Sequence, residues 1–491
     1  MEVGKNLLLF ALAMLPFANA AGQKAATPQQ RTARHFDSVR QQPSLLLAFL
    51  REMPKGGDLH NHLAGAIYAE SLIDFAAQNG FCVDRTTSIL IAPPCDDACE
   101  RFSSKPAISC AYRDQVLYNS IVDAWSMRNR TGEEPGHDHF FATFDKFLPA
   151  MLNHTGDAIA EAAARAASDH LQYLELLHTA DGMLAQELGA KVGWDEDFAG
   201  LRQKLLAAGM NDVIASTRRQ LDRDESKMRQ VLRCGTPQAD AGCDVTVRYI
   251  YQVLRGLPPE QVYAQILLGF ELAQADPRFV GLNLVMPEDW YVPMHDFDLH
   301  MKMLDYLHGI YPKVHISLHA GELAMGLVPP EGLTFHIRES IEKGHAERIG
   351  HGTSVMNERD TIGLLREMAQ RKVLVEICLT SNDVILGVRG AEHPLPAYLR
   401  YGVPVALATD DEGVSRSDMT HEYLRAVETY GLTYSDLKRL ARQSLEHSFL
   451  PGAGLPASCT AATCGKFLDS SPRARVQWNL EQAFADFERK F

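Results

Sequence analysis

The chain has 491 residues, with 48 Lys and Arg against 62 Asp and Glu, a net charge of −14 and 46% hydrophobic residues. That balance fits a soluble globular protein and excludes a disordered or collagen-like chain, and the acid excess argues against a dedicated nucleic-acid binder, which carries a basic surface. Length alone allows roughly three domains of about 150 residues, but a single barrel with insertions fills the same length.

Residues 1–20 read as a signal peptide. Lys5 precedes an apolar run from Leu7 to Phe17, and Ala18-Asn19-Ala20 gives the small-polar-small pattern that signal peptidase cuts after. The run falls short of the roughly 20 apolar residues that span a bilayer. The mature chain is therefore expected to begin at Ala21 without a membrane anchor, secreted, and periplasmic if the host is a Gram-negative bacterium. The 9 cysteines suit that destination. Cys82, Cys95, Cys99, Cys110, Cys234, Cys243, Cys459 and Cys464 lie in or beside loop-like stretches, and their clustering favours local bridges such as Cys234 with Cys243 and Cys459 with Cys464. Cys378 sits in an apolar run and reads as a buried thiol. The C-x-x-C pairs of a zinc ribbon are absent. Asn129-Arg130-Thr131 and Asn153-His154-Thr155 are glycosylation acceptors only in a eukaryotic secretory pathway.

Residues 21–52 read as an N-terminal helical extension, 53–450 as the main domain, with insertions near 80–135 and 181–243, and 451–491 as a C-terminal segment packing on it. Within the main domain, short apolar runs alternate with longer amphipathic ones: Lys55 to His62, Leu171 to Leu177, Val245 to Tyr251, Phe279 to Val285, Val314 to His319, Arg348 to His351, Val373 to Leu379 and Val405 to Ala408. Strand followed by helix, repeated, gives a parallel sheet, and about eight such strands close an α/β barrel of the (β/α)8, TIM type.

Polar groups end these strands where a barrel mouth would use them. In a strand, residues i and i+2 share a face, so His60 and His62 can both hold one ion. His319, His351 and Asp410 end three further strands. Imidazoles and carboxylates are costly in a barrel interior unless something there uses them, and three imidazoles with a carboxylate suit Zn²⁺ with a position left open for water.

The segments Met53 to Leu63, Ser317 to Glu322, Arg348 to Thr353, Glu376 to Asn382 and Thr409 to Gly413 resemble, in order and spacing, the motif series of the adenosine deaminases. The leader, the cysteines and the stretch from Met127 to Phe141 are more similar to the secreted, growth-factor-related or periplasmic branch. The resemblance implies one zinc ion held by His60, His62, His319 and Asp410, with His351 as a catalytic histidine that orients the attacking oxygen and helps take its proton. It implies Glu322 as the acid that protonates N1 of a purine and Asp411 as the partner of N7. The plainer alternative for Asp411 is a helix N-cap. Ser381 and Asn382 would support the rim. Gly321, Met286 and Trp290 are further substrate-facing candidates, although Trp290 could equally be a packed structural residue. Two departures bear on the substrate. Ala64 stands where many cytosolic members have Asp for the ribose, and Met286 where a glycine usually offers its N–H to N3.

The expectation is a secreted zinc enzyme that deaminates adenosine, and 2'-deoxyadenosine, acting on a small-molecule nucleoside, with a homodimer as one option for its assembly. Its rivals are a deaminase of adenine, AMP or a modified nucleoside, a different barrel metallohydrolase, and a signalling role added through the 80–135 insertion.

Overall fold

The computed structural model describes Met1 and residues 26–96, 99–100, 103–129, 136–459 and 464–491. The expected signal peptide after Met1 and positions 130–131 of the first glycosylation triplet lie outside these residues.

Among the described residues the strands, in chain order, are β1 (Gly56–His62), β2 (Cys82–Val83), β3 (Leu90–Ile91), β4 (Leu171–His178), β5 (Thr246–Leu254), β6 (Phe279–Val285), β7 (His315–Ala320), β8 (Arg348–His351), β9 (Leu374–Ile377) and β10 (Val405–Leu407). Eight of them form one sheet in the order β1-β4-β5-β6-β7-β8-β9-β10. All its pairings are parallel. The sheet closes where the backbones of β1 and the exit of β10 meet: His62 N–H donates to Asp410 O at 3.1 Å and Asp410 N–H to His60 O at 2.8 Å. The expected TIM-type barrel is therefore present, and all eight predicted strands are in it. The run expected to extend to Leu379 is shorter, because Leu379 opens the helix Leu379–Leu386, which carries Ser381 and Asn382 to the mouth.

Parallel strands are covered on both faces, so they read as nearly unbroken buried runs; β6 is buried at every residue. Outside the barrel, the helix Pro28–Val39 starts at a capping box between Thr27 and Gln30. Phe36 and Phe49, from the two N-terminal helices, pack with Tyr434 and Phe487 from near the C-terminus at ring separations of 5.1–6.5 Å. The hairpin β2–β3 is stapled by Cys82–Cys95 and followed by Cys99–Cys110; Cys234–Cys243 and Cys459–Cys464 are bridged as expected. Cys378 is free and buried. Residues 181–243 carry the helices Leu184–Val192, Phe198–Leu205 and Asn211–Val231. Met127, late in the first insertion, and Gly136, just past it, are pinned to the barrel mouth by Met127 N–H to Val414 O and Gly136 N–H to Val384 O, both 2.8 Å. Among the described residues no helix is long and apolar enough to cross a membrane.

Candidate active site

His60, His62, His319, His351 and Asp410 converge at the C-terminal ends of the strands. His60 Nε2 and His62 Nε2 lie 3.1 and 3.2 Å from His319 Nε2. Asp410 Oδ1 is 3.3 Å from His62 Nε2 and 3.6 Å from His60 Nε2. His351 Nε2 is 4.0 Å from Asp410 Oδ2 and 3.7 Å from Glu322 Oε1. The turn into the mouth uses left-handed backbone at Met286 (φ 84°), His351 (65°) and Asp410 (59°). Such φ values cost about 1–3 kcal/mol in non-glycine residues and persist where the surroundings enforce them.

The outer nitrogens explain why the inner ones gather. His60 Nδ1 meets Glu376 Oε2 at 2.6 Å, His62 Nδ1 meets Gln252 Oε1 at 2.9 Å and His319 Nδ1 meets Asn283 Oδ1 at 2.8 Å. The backbone N–H of His319 donates to the same Asn283 oxygen at 3.0 Å, which fixes that atom as the acceptor. Each ring thus donates Nδ1–H outward and turns an Nε2 lone pair inward. Three lone pairs beside a carboxylate are mutually unfavourable without a cation among them, and they are the donor set that Zn²⁺ prefers. Ser381 Oγ donates to the outer oxygen of Asp410 at 2.5 Å.

Charge follows the same plan. Burial holds His62 down at about 4 and, with His60 and His62 as neighbours, His319 well below the usual histidine range. Burial also works against a charged His60, but Asp410 and Glu376 outweigh it and lift the ring to about 10, so with no ion among them the His60 Nε2 lone pair takes up a proton that a bound cation would displace. Asp410 stays ionised despite burial because His60, His351 and His62 face it. Glu322 and Asp411 go the other way. Burial first, then the negative charge of Asp410, pushes both well above the usual carboxylate range, and Glu288 adds to the effect on Glu322. Both environments favour the protonated form.

Asp411 does not cap the short helix Glu412–Ser415 with its side chain. Its Oδ1 is buried without a hydrogen-bond partner, so the plainer alternative fails. Gly65 lets it approach, since a Cβ there would lie 1.6 Å from Asp411 Oδ1. Met286 disposes of its bulk in a similar way. Its sulfur lies 3.4 Å from Gly256 N, and a Cβ on Gly256 would meet Met286 Cε at 2.8 Å. Trp290 is 44% exposed on the rim beside Gly256 and is not a packed core residue.

Several residues shape the site without having announced themselves in the sequence. Glu288 is buried, and its carboxylate accepts N–H bonds from Gly321 (3.0 Å) and Glu322 (2.8 Å) as well as a contact from His336 Nδ1. It clamps the loop that presents Glu322, and Gly321 permits the turn at φ 73°. Arg255 donates to Met286 O at 3.1 and 3.0 Å and to His319 O at 3.1 Å, tying the exits of β6 and β7 together. Arg255 and Gln252 sit at the C-terminal end of β5, the one signal that could have marked them. Asn283, His336 and His393 carried none.

The sequence family described as adenosine deaminase matches residues 113–454. The chain belongs to the adenosine deaminase family. An adenosine deaminase from Yersinia pseudotuberculosis is 37% identical over 138 residues, 28% of this chain and 38% of the relative. That alignment thus spans well under half of the relative's length. An amidohydrolase from Burkholderia ambifaria solved with bound Zn shares the fold at a TM-score of 0.55 and 16% identity, over 90% of this chain and 94% of its own. The N6-methyl-AMP deaminase of Arabidopsis thaliana does so at 0.54 and 18%, over 90% and 99%. The family match starts after His60 and His62, yet the barrel brings both into contact with His319 inside it.

Proposed function

We propose that this chain is an exported zinc hydrolase that converts adenosine, and 2'-deoxyadenosine, with water to inosine products and ammonia. The observation that carries the substrate class is the pair of buried carboxyls whose surroundings favour the protonated form: Glu322 beside His351, and Asp411 grouped with His62 and Asp410. A 6-aminopurine presents lone pairs at N1 and N7 on either side of the reacting C6, and two carboxyl O–H groups are the donors that read them. Glu322 gives its proton to N1 as oxygen adds at C6, while Asp411 holds N7. His60, His62, His319 and Asp410 would hold the zinc ion, which when bound supplies a water whose pKa is lowered to about 7. Export is supported by the leader-like first 20 residues and by disulfides in a chain whose Cys378 stays reduced in the core.

The test is the ultraviolet absorbance change when zinc-loaded protein meets adenosine, 2'-deoxyadenosine, adenine and AMP in parallel. Turnover of the two nucleosides ahead of adenine and AMP supports the reading; preference for AMP or adenine moves the substrate, and no turnover of any of the four sinks the activity. Cell fractionation of the native host tests export, and the intact leader on cytoplasmic protein would overturn it.

A further inference from the structure

The four mouth histidines are wired in opposite senses. His60, His62 and His319 face outward oxygens at Nδ1. His351 instead faces the side-chain amide of Asn382, with 3.0 Å between Nδ1 and Nδ2. The orientation of that amide is decided one residue further out. The backbone N–H of Leu395 donates to His393 Nδ1 at 3.1 Å, so a neutral His393 carries its proton on Nε2. Burial, with Arg425 nearby, holds His393 down at about 4, which keeps it neutral. His393 Nε2–H then donates to Asn382 Oδ1 at 3.0 Å. The NH2 end of Asn382 is left to donate to His351 Nδ1, and a neutral ring that accepts at Nδ1 bears its hydrogen on Nε2. Reversing the amide would set N–H against N–H at His393, with Leu395 N–H already occupying the other nitrogen. Every side chain in the chain of bonds is buried, and His351 Nε2 is a buried atom with no hydrogen-bond partner in the protein.

We propose that Leu395 N–H, His393 and Asn382 form a relay that locks His351 in the Nε2–H tautomer, making it a hydrogen-bond donor to the reacting centre. In that tautomer His351 has no lone pair to offer a metal, which selects the three-histidine set from four converging rings. It also cannot accept a proton at Nε2, so its part in the reaction is to hold and polarise the oxygen that adds at C6. Asn382 and His393 are positioning residues. The catalytic consequence rests on the deaminase reading; the tautomer does not.

The experiment is a long-range ¹H–¹⁵N correlation on zinc-loaded full-length protein carrying ¹⁵N-histidine, with His351 assigned by loss of its signals in His351→Asn. A pyrrole-type Nε2 and a pyridine-type Nδ1 at His351 are expected. In Asn382→Asp the carboxylate should draw the proton to Nδ1, with zinc content unchanged, kcat down by about 100-fold or more and KM within about threefold. His393→Gln, which keeps a donor toward Asn382, should retain the native tautomer. A pyridine-type Nε2 in the native protein overturns the relay, as does a reversed tautomer in Asn382→Asp with kcat intact. Native protein with the expected tautomer but no turnover of any aminopurine supports the relay and removes the deaminase reading instead.

Discussion

The barrel interior contains two buried ionic layers, and they differ in one respect. Toward the N-terminal side, Arg348 Nη2 meets Glu175 Oε2 at 2.5 Å, and its Nε lies 2.7 Å from Glu376 Oε1 as an ion pair off the axis of a linear hydrogen bond. Tyr173 Oη and Phe449 N–H donate to Glu175 Oε1 at 2.7 and 2.9 Å, Ser317 Oγ donates to Glu376 Oε1 at 3.0 Å, and the guanidinium stacks 3.7 Å over the Phe449 ring. The charges of that layer answer one another. At the mouth, ring nitrogens crowd one another, and His351 Nε2 and Asp411 Oδ1 have no hydrogen-bond partner in the protein. Burial of charge alone therefore does not mark chemistry in this barrel; what sets the mouth apart is that unpartnered polar atoms gather there beside converging imidazoles and carboxyls. Glu376 belongs to both layers, one oxygen on Arg348 and the other on His60.

Substitutions should separate the layers. The largest effect is expected from Glu322→Gln, which keeps the shape of the loop but removes the acid: kcat should fall by about 10²–10⁴-fold, while thermal unfolding and zinc content stay as they were. Equal loss of stability would merge the two layers. Arg348→Met should do the reverse. Leaving Glu175 and Glu376 buried without their cation is expected to cost about 3–5 kcal/mol in denaturant unfolding; a neutral outcome would show that the lower layer is dispensable. Glu376→Gln touches both layers, and zinc affinity measured by chelator competition should drop by about 10–100-fold.

The pH dependence sharpens the comparison further. Burial opposes ionisation of Glu288, but His336, Arg255 and the amide of Gly321 outweigh it and hold its carboxyl at about 2 against an ordinary 4.5. Because the folded value is the lower one, this stabilisation is complete above about 4.5 and is lost as the pH falls toward about 2, a change of about 3 kcal/mol. Acid unfolding of Glu288→Gln should lack that component. The smallest effect expected is on rate. Glu322 must be protonated to act, so activity falls as the pH rises through its raised pKa, and removing the Glu288 charge should move that alkaline limb to lower pH. An unmoved limb would confine Glu288 to the geometry of the loop.

The histidines, Asp410, Asp411 and Glu322 were legible because each stands at or just past the end of an apolar run, and a parallel strand points its last residues into the mouth. Their partners were not. Gln252, Asn283 and His393 act through contacts 190, 36 and 11 residues away in sequence, and no local pattern records which strand becomes a neighbour. Glu288 stood in view beside Met286, but its value lies in two backbone N–H groups of another loop. Within residues 181–243, read from the sequence as an insertion, the helices Leu184–Val192 and Asn211–Val231 pack on the helices Pro259–Ala275 and Thr155–Ser168, contacts that no local pattern records.

The closure of the barrel has a further consequence. The backbones of the first and last strands join at His60, His62 and Asp410, the same residues that would grip the ion. A metal held there would act as a clasp between segments about 350 residues apart in the chain, shutting a loop whose closure is entropically expensive. Its binding energy would then be spent on the integrity of the whole ring. Stripping the ion would loosen the seam between the first and last strands of the barrel before it disturbed any single strand.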